Sequence, residues 1–214
     1  MKVTDKIKIT NEDNMELMAR YPDNYFDVVV TDPPYNVKYS YNQYSDDMSQ
    51  EDYKKWCTSW FNELERITDG AIFISCGLVN LGLWYEIKKP NWLIAWLKPA
   101  AMGRSSVGFC NWEPVLFYGK VGKQNVDVFK APIKSDKTMD FHSCPKPVRW
   151  AEEILNKYTK EGSKVLDIFS GSGTTAIACH NLGYELTACE LDKEYFEASI
   201  KRIENHVAQI RMFQ

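Results

Sequence analysis

The stretch Phe26-Asp27-Val28-Val29-Val30-Thr31-Asp32-Pro33-Pro34-Tyr35 decides how the chain is read. Its first half is apolar and β-branched, the composition of a buried strand. Its second half stops that strand, because neither proline can donate to a ladder and both fix φ. An acid and an aromatic are thereby held on a stiff turn at a strand's C-terminal edge, where open α/β sheets bind ligands. On these residues alone, a rigid strand exit without chemistry is an equally good reading.

Residues 6–10 alternate as a short strand, and Asn11-Glu12-Asp13 supplies turn and cap residues. A short helix over 15–21 stops near Pro22. After Tyr35 comes a polar loop carrying Tyr39, Tyr41 and Tyr44. Ser49 and Asp52 form a variant capping box that opens a helix over 50–68. Tyr53, Trp56, Trp60, Phe61 and Leu64 keep helical spacing there and are expected in the core. Asp69-Gly70 reads as a turn. Strands are expected at 71–76, 92–97 and 114–118, a helix at 79–89, a loop at 101–111, and a helix from Pro147 to about 160.

A second constellation lies near the C-terminus. The strand 164–169 runs into Ser170-Gly171-Ser172-Gly173-Thr174-Thr175, which opens a helix over 174–182 capped by Gly183. A strand over 184–191 carries Glu190, and Asp192 caps a last helix over 193–209. The glycines allow a tight turn and close approach of a ligand, and the helix start offers free N–H groups. A Walker loop would need Gly-Lys-Ser/Thr, which this turn lacks. Gly171-x-Gly173-x-x-Ala176 does meet the loose dinucleotide fingerprint, and Glu190, nineteen residues after Gly171, can accept from ribose hydroxyls. A dehydrogenase would need further strands after the fingerprint; only one helix follows Glu190. The nucleotide-binding half therefore stands last. Alternating strands and helices predict an α/β fold, a mostly parallel twisted sheet with helices on both faces.

Of 214 residues, 44% are hydrophobic and 26% charged, enough for one sizeable core. No linker divides the chain, so 1–214 is expected to be one domain: a catalytic half over about 1–118, a short basic segment over about 119–141, and a cofactor half over about 142–214. Six cysteines without a C-x-x-C pair argue for reduced thiols and a cytoplasmic protein, and no metal site is expected. No run approaches the roughly 20 apolar residues of a membrane span. Net charge is −3, yet residues 119–149 hold seven basic residues against three acids. That local excess of +4 suits a phosphate-contacting surface.

Asp32-Pro33-Pro34-Tyr35 together with Asp167-x-Phe169-x-Gly171-x-Gly173-Thr174-Thr175 resembles the amino-methyltransferases of DNA, including those of restriction–modification systems. The order, catalytic motif first, resembles their permuted β group. Trp112-Glu113-Pro114-Val115-Leu116-Phe117-Tyr118 is similar to a family strand near the substrate. His142-Ser143-Cys144-Pro145-Lys146-Pro147 is similar to the segment ahead of the cofactor strand. The resemblance implies a Rossmann-like methyltransferase fold and S-adenosylmethionine as cofactor. It implies Asp32, Pro33, Pro34 and Tyr35 as the catalytic motif, and Asp167, Phe169, Gly171, Ser172, Gly173 and Thr174 around the methionine end. Glu190 would hold the ribose, Asp13 would reach the adenine amine, and His142 and Lys146 would stand near the methionine carboxylate.

An exocyclic amine is a poor nucleophile because its lone pair is delocalised into the ring. Acceptors aimed at its two N–H groups favour the pyramidal nitrogen that attacks the methyl group. Asp32 and the Pro33 carbonyl are suited to that task, with Tyr35 stacking on a base flipped out of the duplex. Aspartate at the head of the motif favours N6 of adenine in DNA. N4 of cytosine, an RNA substrate, and a non-catalytic cofactor- or nucleic-acid-binding subunit are the alternatives. Only about twenty residues separate Tyr118 from His142, so recognition is expected to fall to residues 120–137 and the loops after Tyr35 and Lys98. Such a surface implies either relaxed specificity or a homodimer.

Overall fold

The structure, a computed structural model, describes residues 2–39, 46–99, 101, 103–133 and 145–212. In chain order its elements are β1 (Ile7–Asn11), α1 (Asn14–Met18), β2 (Phe26–Thr31), α2 (Gln50–Ile67), β3 (Thr68–Ser75), a 3-10 turn (Leu78–Asn80) and α3 (Leu81–Ile87). There follow β4 (Trp92–Leu97), β5 (Arg104–Ser105), β6 (Gly108–Phe109), β7 (Trp112–Gly119), β8 (Val128–Lys130) and α4 (Val148–Tyr158). The C-terminal part contains β9 (Lys164–Asp167), α5 (Thr174–Leu182), β10 (Glu185–Glu190) and α6 (Lys193–Met212).

Eight strands pair in the order β1-β10-β9-β2-β3-β7-β4-β8, and β5 and β6 form a separate hairpin. Every pairing in the large sheet is parallel except those of β7 with β3 and β4. This is the mostly parallel α/β sheet expected. The chain leaves β9 toward β10 on one side and β2 toward β3 on the other. A topological switch point therefore lies between β9 and β2, where such sheets open a crevice at their carboxyl ends.

Side-chain alternation along the strands feeds two cores. Val28 and Val30 pack with Trp150, Ile154 and Leu155 of α4, with α5, and with Ile200 and Ile203 of α6. Val29, Ile72 and Leu166 face Leu17 of α1, Trp60, Phe61 and Leu64 of α2, and Trp84 of α3. Helix starts follow local chemistry. The Ser49 hydroxyl accepts the Asp52 N–H at 3.1 Å and donates to the Asp52 carboxylate at 2.7 Å. Asp192 Oδ1 accepts the N–H groups of Glu194 and Tyr195 at 2.9 and 3.0 Å.

Three expectations are corrected. Asp69-Gly70 lies inside β3, not in a turn. It carries one extra residue opposite β2, where the register shifts between Phe26 and Val28. A Cβ on Gly70 would stand 2.0 Å from the Asp27 carbonyl oxygen, so glycine there serves strand approach, not chain reversal. The expected loop at 101–111 holds the hairpin β5–β6, and the basic segment holds β8 at the sheet's edge.

Candidate active site

At the carboxyl edge of β2 and β9 opens a cavity lined by residues from both ends of the chain. Asp32, Pro33, Pro34 and Tyr35 form one wall, and Asp167, Phe169, Gly171, Ser172 and Thr174 another. Asp13, Lys146 and Glu190 complete the set that sequence reasoning brought together. Gly173 is not on that wall. Its φ is +78°, and a Cβ would come 3.0 Å from Ile203 Cδ1 and 3.3 Å from Ser199 Cβ. It lets the turn pack on α6, behind the cavity. His142 lies outside the described residues.

The catalytic motif is fixed from several elements. Tyr53 of α2 donates to the Pro34 carbonyl at 2.7 Å, and Asn80 donates to the Tyr35 carbonyl. The Tyr35 hydroxyl donates to Asp32 Oδ1 at 2.9 Å and lies 2.7 Å from Ser75 Oγ and 3.0 Å from Lys146 Nζ. With its one proton committed to Asp32, it accepts from the Ser75 hydroxyl and from the lysine. Burial first, then the nearby charges of Asp32 and Glu113, push the phenol well above its ordinary range, so it stays a donor. Beyond the motif, buried Asp46 accepts from Asn36, Val37 and Tyr39 N–H groups at 2.7, 2.9 and 3.0 Å and ties down the start of the loop.

On the opposite wall, Glu190 Oε2 accepts the Gly171 N–H at 2.7 Å and Oε1 accepts the Asp192 N–H at 2.9 Å. Burial outweighs these bonds and raises the carboxyl to about 7. Asp167, 2% exposed, is raised to about 6, again by burial, against bonds from Thr175, Phe169 and Thr31. The Thr31 hydroxyl reaches Asp167 Oδ1 at 2.9 Å, which joins β2 to β9 at the mouth of the crevice. Gly171 has φ +49°, a left-handed turn open to glycine. Arg202 of α6 donates to the Ser172 carbonyl at 2.7 Å and braces the turn from behind. Asp13 lines the cavity while its Oδ1 caps α1 through the Met15 N–H at 2.7 Å.

Sequence reasoning missed several members. Trp56, expected in the core, is half-buried and forms part of the cavity wall, its ring 5.6 Å from that of Phe169. A wall-facing position on an amphipathic helix has the same spacing as a core position, so periodicity could not separate them. Ser170, Asp192 and Tyr195 also line the cavity. Lys146, expected near the methionine carboxylate of the cofactor, has its ammonium 3.0 Å from Asp32 Oδ1. The basic segment is split by the fold. Gly119 pairs with Ala71 at the start of β3, so exposed Lys120 and Lys123 lie at the sheet edge opposite the cavity. Lys130 pairs beside Leu97 at the cavity's own edge.

A family model described as DNA methylase matches residues 26–141 and 127–201. The chain is 24% identical over 226 residues to the Type II methyltransferase M.HpaI of Haemophilus parainfluenzae, covering 89% of this chain and 72% of that protein. Solved structures share the fold. The M1.HpyAVI–SAM complex has TM-score 0.70 at 23% identity, covering 92% of this chain and 98% of the other. The PvuII DNA methyltransferase (cytosine-N4-specific) has TM-score 0.72 at 16% identity, covering 93% and 91%.

Proposed function

The chain belongs to the N6/N4 DNA methylase family, and from that premise we propose that it transfers a methyl group from S-adenosylmethionine to the exocyclic N6 amine of adenine in DNA. What carries the reading is the meeting, across β9 and β2, of the Asp32–Pro33 strand exit with the Gly171 turn and Glu190 around one cavity. Aspartate at the head of the motif favours adenine.

The donors and acceptors present fit the cofactor. Each Glu190 oxygen keeps a lone pair beyond the one used by Gly171 or Asp192, so both ribose hydroxyls have an acceptor. The buried Ser170 hydroxyl and Asp192 Oδ2 have no hydrogen-bond partner among the described residues, and both residues line the cavity. Trp56, Phe169 and Tyr195 offer apolar faces to a purine. When bound, S-adenosylmethionine supplies an electrophilic methyl group on a sulfonium.

The chain's own residues prepare the nucleophile. Tyr35 and Lys146 both contact Asp32 on Oδ1, which leaves Oδ2 for one N–H of the amine. The Pro33 carbonyl accepts the other, and together they favour the pyramidal nitrogen of the transition state. A base reaches this recessed motif only when flipped out of the duplex, where the Tyr35 ring stacks on it. Both halves of the chain contribute strands to one sheet, which supports a single catalytic domain. With Lys120 and Lys123 facing away from the cavity, base reading falls to the β5–β6 hairpin, to Lys130 and to the loop after Tyr35. A homodimer would widen that small surface.

The test is tritiated methyl transfer to unmethylated DNA by wild type and Asp32→Ala, followed by mass spectrometry of the nucleosides. N6-methyladenine from the wild type and none from the variant is expected. Equal signals would remove the catalytic assignment, and N4-methylcytosine would move the reading to cytosine, the base named for the PvuII enzyme.

A further inference from the structure

We propose that Lys146 is a positioning residue for the catalytic motif, bonded to Asp32 and Tyr35 with Glu113 as a further counter-charge, and not a contact for the cofactor's methionine carboxylate; this rests on the methyl-transfer reading above. Lys146 is 9% exposed. Its Nζ lies 3.0 Å from Asp32 Oδ1, 3.0 Å from the Tyr35 hydroxyl and 3.7 Å from Glu113 Oε2. It also stands 5.0 Å from the Tyr35 ring centroid and 5.6 Å from that of Trp96. A buried ammonium needs this density of acceptors and π faces to offset its lost hydration.

Glu113 adds a looser counter-charge, its Oε2 facing the ammonium at 3.7 Å without a hydrogen bond. It sits on β7 opposite Trp96 of β4, and its other oxygen is ion-paired with Lys98, just beyond β4. Lys98, Glu113, Lys146 and Asp32 thus form a row of alternating charges, two of each sign, running from the outer strands to the catalytic motif. A ligand carboxylate on Lys146 would put a third anion into a row already balanced, and would compete with Asp32 for the ammonium. The main chain of Lys146 faces the other half of the site, its carbonyl accepting the Thr174 hydroxyl at 2.7 Å. One residue therefore ties the start of α5 to the orientation of Asp32.

The ammonium fixes Asp32 Oδ1, and with Tyr35 sets where Oδ2 points. Without it, Asp32 is free to turn, and a misplacement of about 1 Å is enough for a roughly hundredfold loss of rate. The experiment measures methyl transfer to unmethylated plasmid DNA at saturating cofactor, alongside calorimetric titration with S-adenosylmethionine. The variants are Lys146→Met, Lys146→Arg, Glu113→Gln and the charge-balanced double variant Lys146→Met/Glu113→Gln. The double variant covers the case in which Lys146→Met alone fails to fold around an uncompensated carboxylate pair. The expected result is a kcat lowered roughly hundredfold in Lys146→Met and in the double variant, and partial recovery in Lys146→Arg. Glu113→Gln should lower kcat less. Cofactor affinity and KM for DNA should stay close to wild type throughout. A loss of cofactor affinity in Lys146→Met or the double variant, or an unchanged kcat, overturns the proposal. A wild type that binds cofactor but methylates no DNA would fail the function alone, because the calorimetry still decides what Lys146 contacts.

Discussion

Glu190 and Gly171 are joined by one hydrogen bond, the Gly171 N–H donating to Glu190 Oε2 at 2.7 Å, so the strand-end acid and the glycine turn are a single unit. The acid shapes the turn as well as facing the cavity. Replacing it tests both roles. Glu190→Ala removes charge-assisted bonds of the kind that contribute about 1.5–3 kcal/mol each. It also removes a buried carboxylate whose desolvation opposes folding. Thermal stability should therefore change little, while affinity for S-adenosylmethionine falls by roughly tenfold or more, each tenfold being about 1.4 kcal/mol. Calorimetry on the variant decides; unchanged affinity would remove Glu190 from the cofactor site.

Two raised carboxyls give the free protein a defined pH response. Glu190 titrates at about 7 against 4.5 for the ordinary group, and Asp167 at about 6 against 3.8. Between those values the native state holds protons that the unfolded chain has released. Their contribution to stability is complete below the unfolded values and is lost as pH rises through the folded ones. Melting temperature should fall from pH 5 to pH 8, and less steeply in Glu190→Gln. Ribose hydroxyls donating to Glu190 favour its charged form, so cofactor binding near pH 6.5 should release a proton. Titrations in two buffers of different ionisation enthalpy measure that release directly.

The order of strands and helices was legible because β-branched runs such as Val28-Val29-Val30 and turn signals such as Gly171 to Gly173 are local. The pairing of Asp32 with Lys146 was not, since 114 positions separate them and only the switch point between β9 and β2 brings them together. β8 escaped because a three-residue edge strand inside a lysine-rich segment carries too little pattern to exceed its loop-like surroundings. Gly70 was misread for a physical reason as well. Asp-Gly is a turn signal, and nothing local shows that a neighbouring carbonyl stands where its Cβ would be.

Two glycines with similar backbones should respond differently to alanine. Gly183 ends α5 at φ +75°, and a Cβ there would meet only Lys6 Nζ, at 4.0 Å. Gly183→Ala should cost only the backbone strain, about 1 kcal/mol. Gly173 adds to the same strain a clash with Ile203 and Ser199 of α6. Gly173→Ala should cost about 1–3 kcal/mol more, and loosen the turn that Arg202 braces. Urea unfolding of both variants checks the difference; equal losses would mean that α6 yields freely.

Gly77 offers a test of Tyr35 that alters no cofactor-site residue and removes no charge. Its φ is −66°, ordinary for any residue, so alanine there brings no backbone strain. Its Cβ would stand 3.0 Å from Tyr35 Cδ2, closer than a side chain tolerates without a shift. Tyr35 has little room to give. Its hydroxyl is bonded to Asp32, Ser75 and Lys146, and its carbonyl to Asn80. The displacement of a few tenths of an ångström must therefore pass into the ring or into Asp32. Gly77→Ala should fold with a melting temperature close to wild type and bind S-adenosylmethionine normally, while kcat on DNA falls by roughly tenfold. A variant with full turnover would show that the position of the Tyr35 ring is not critical to the reaction.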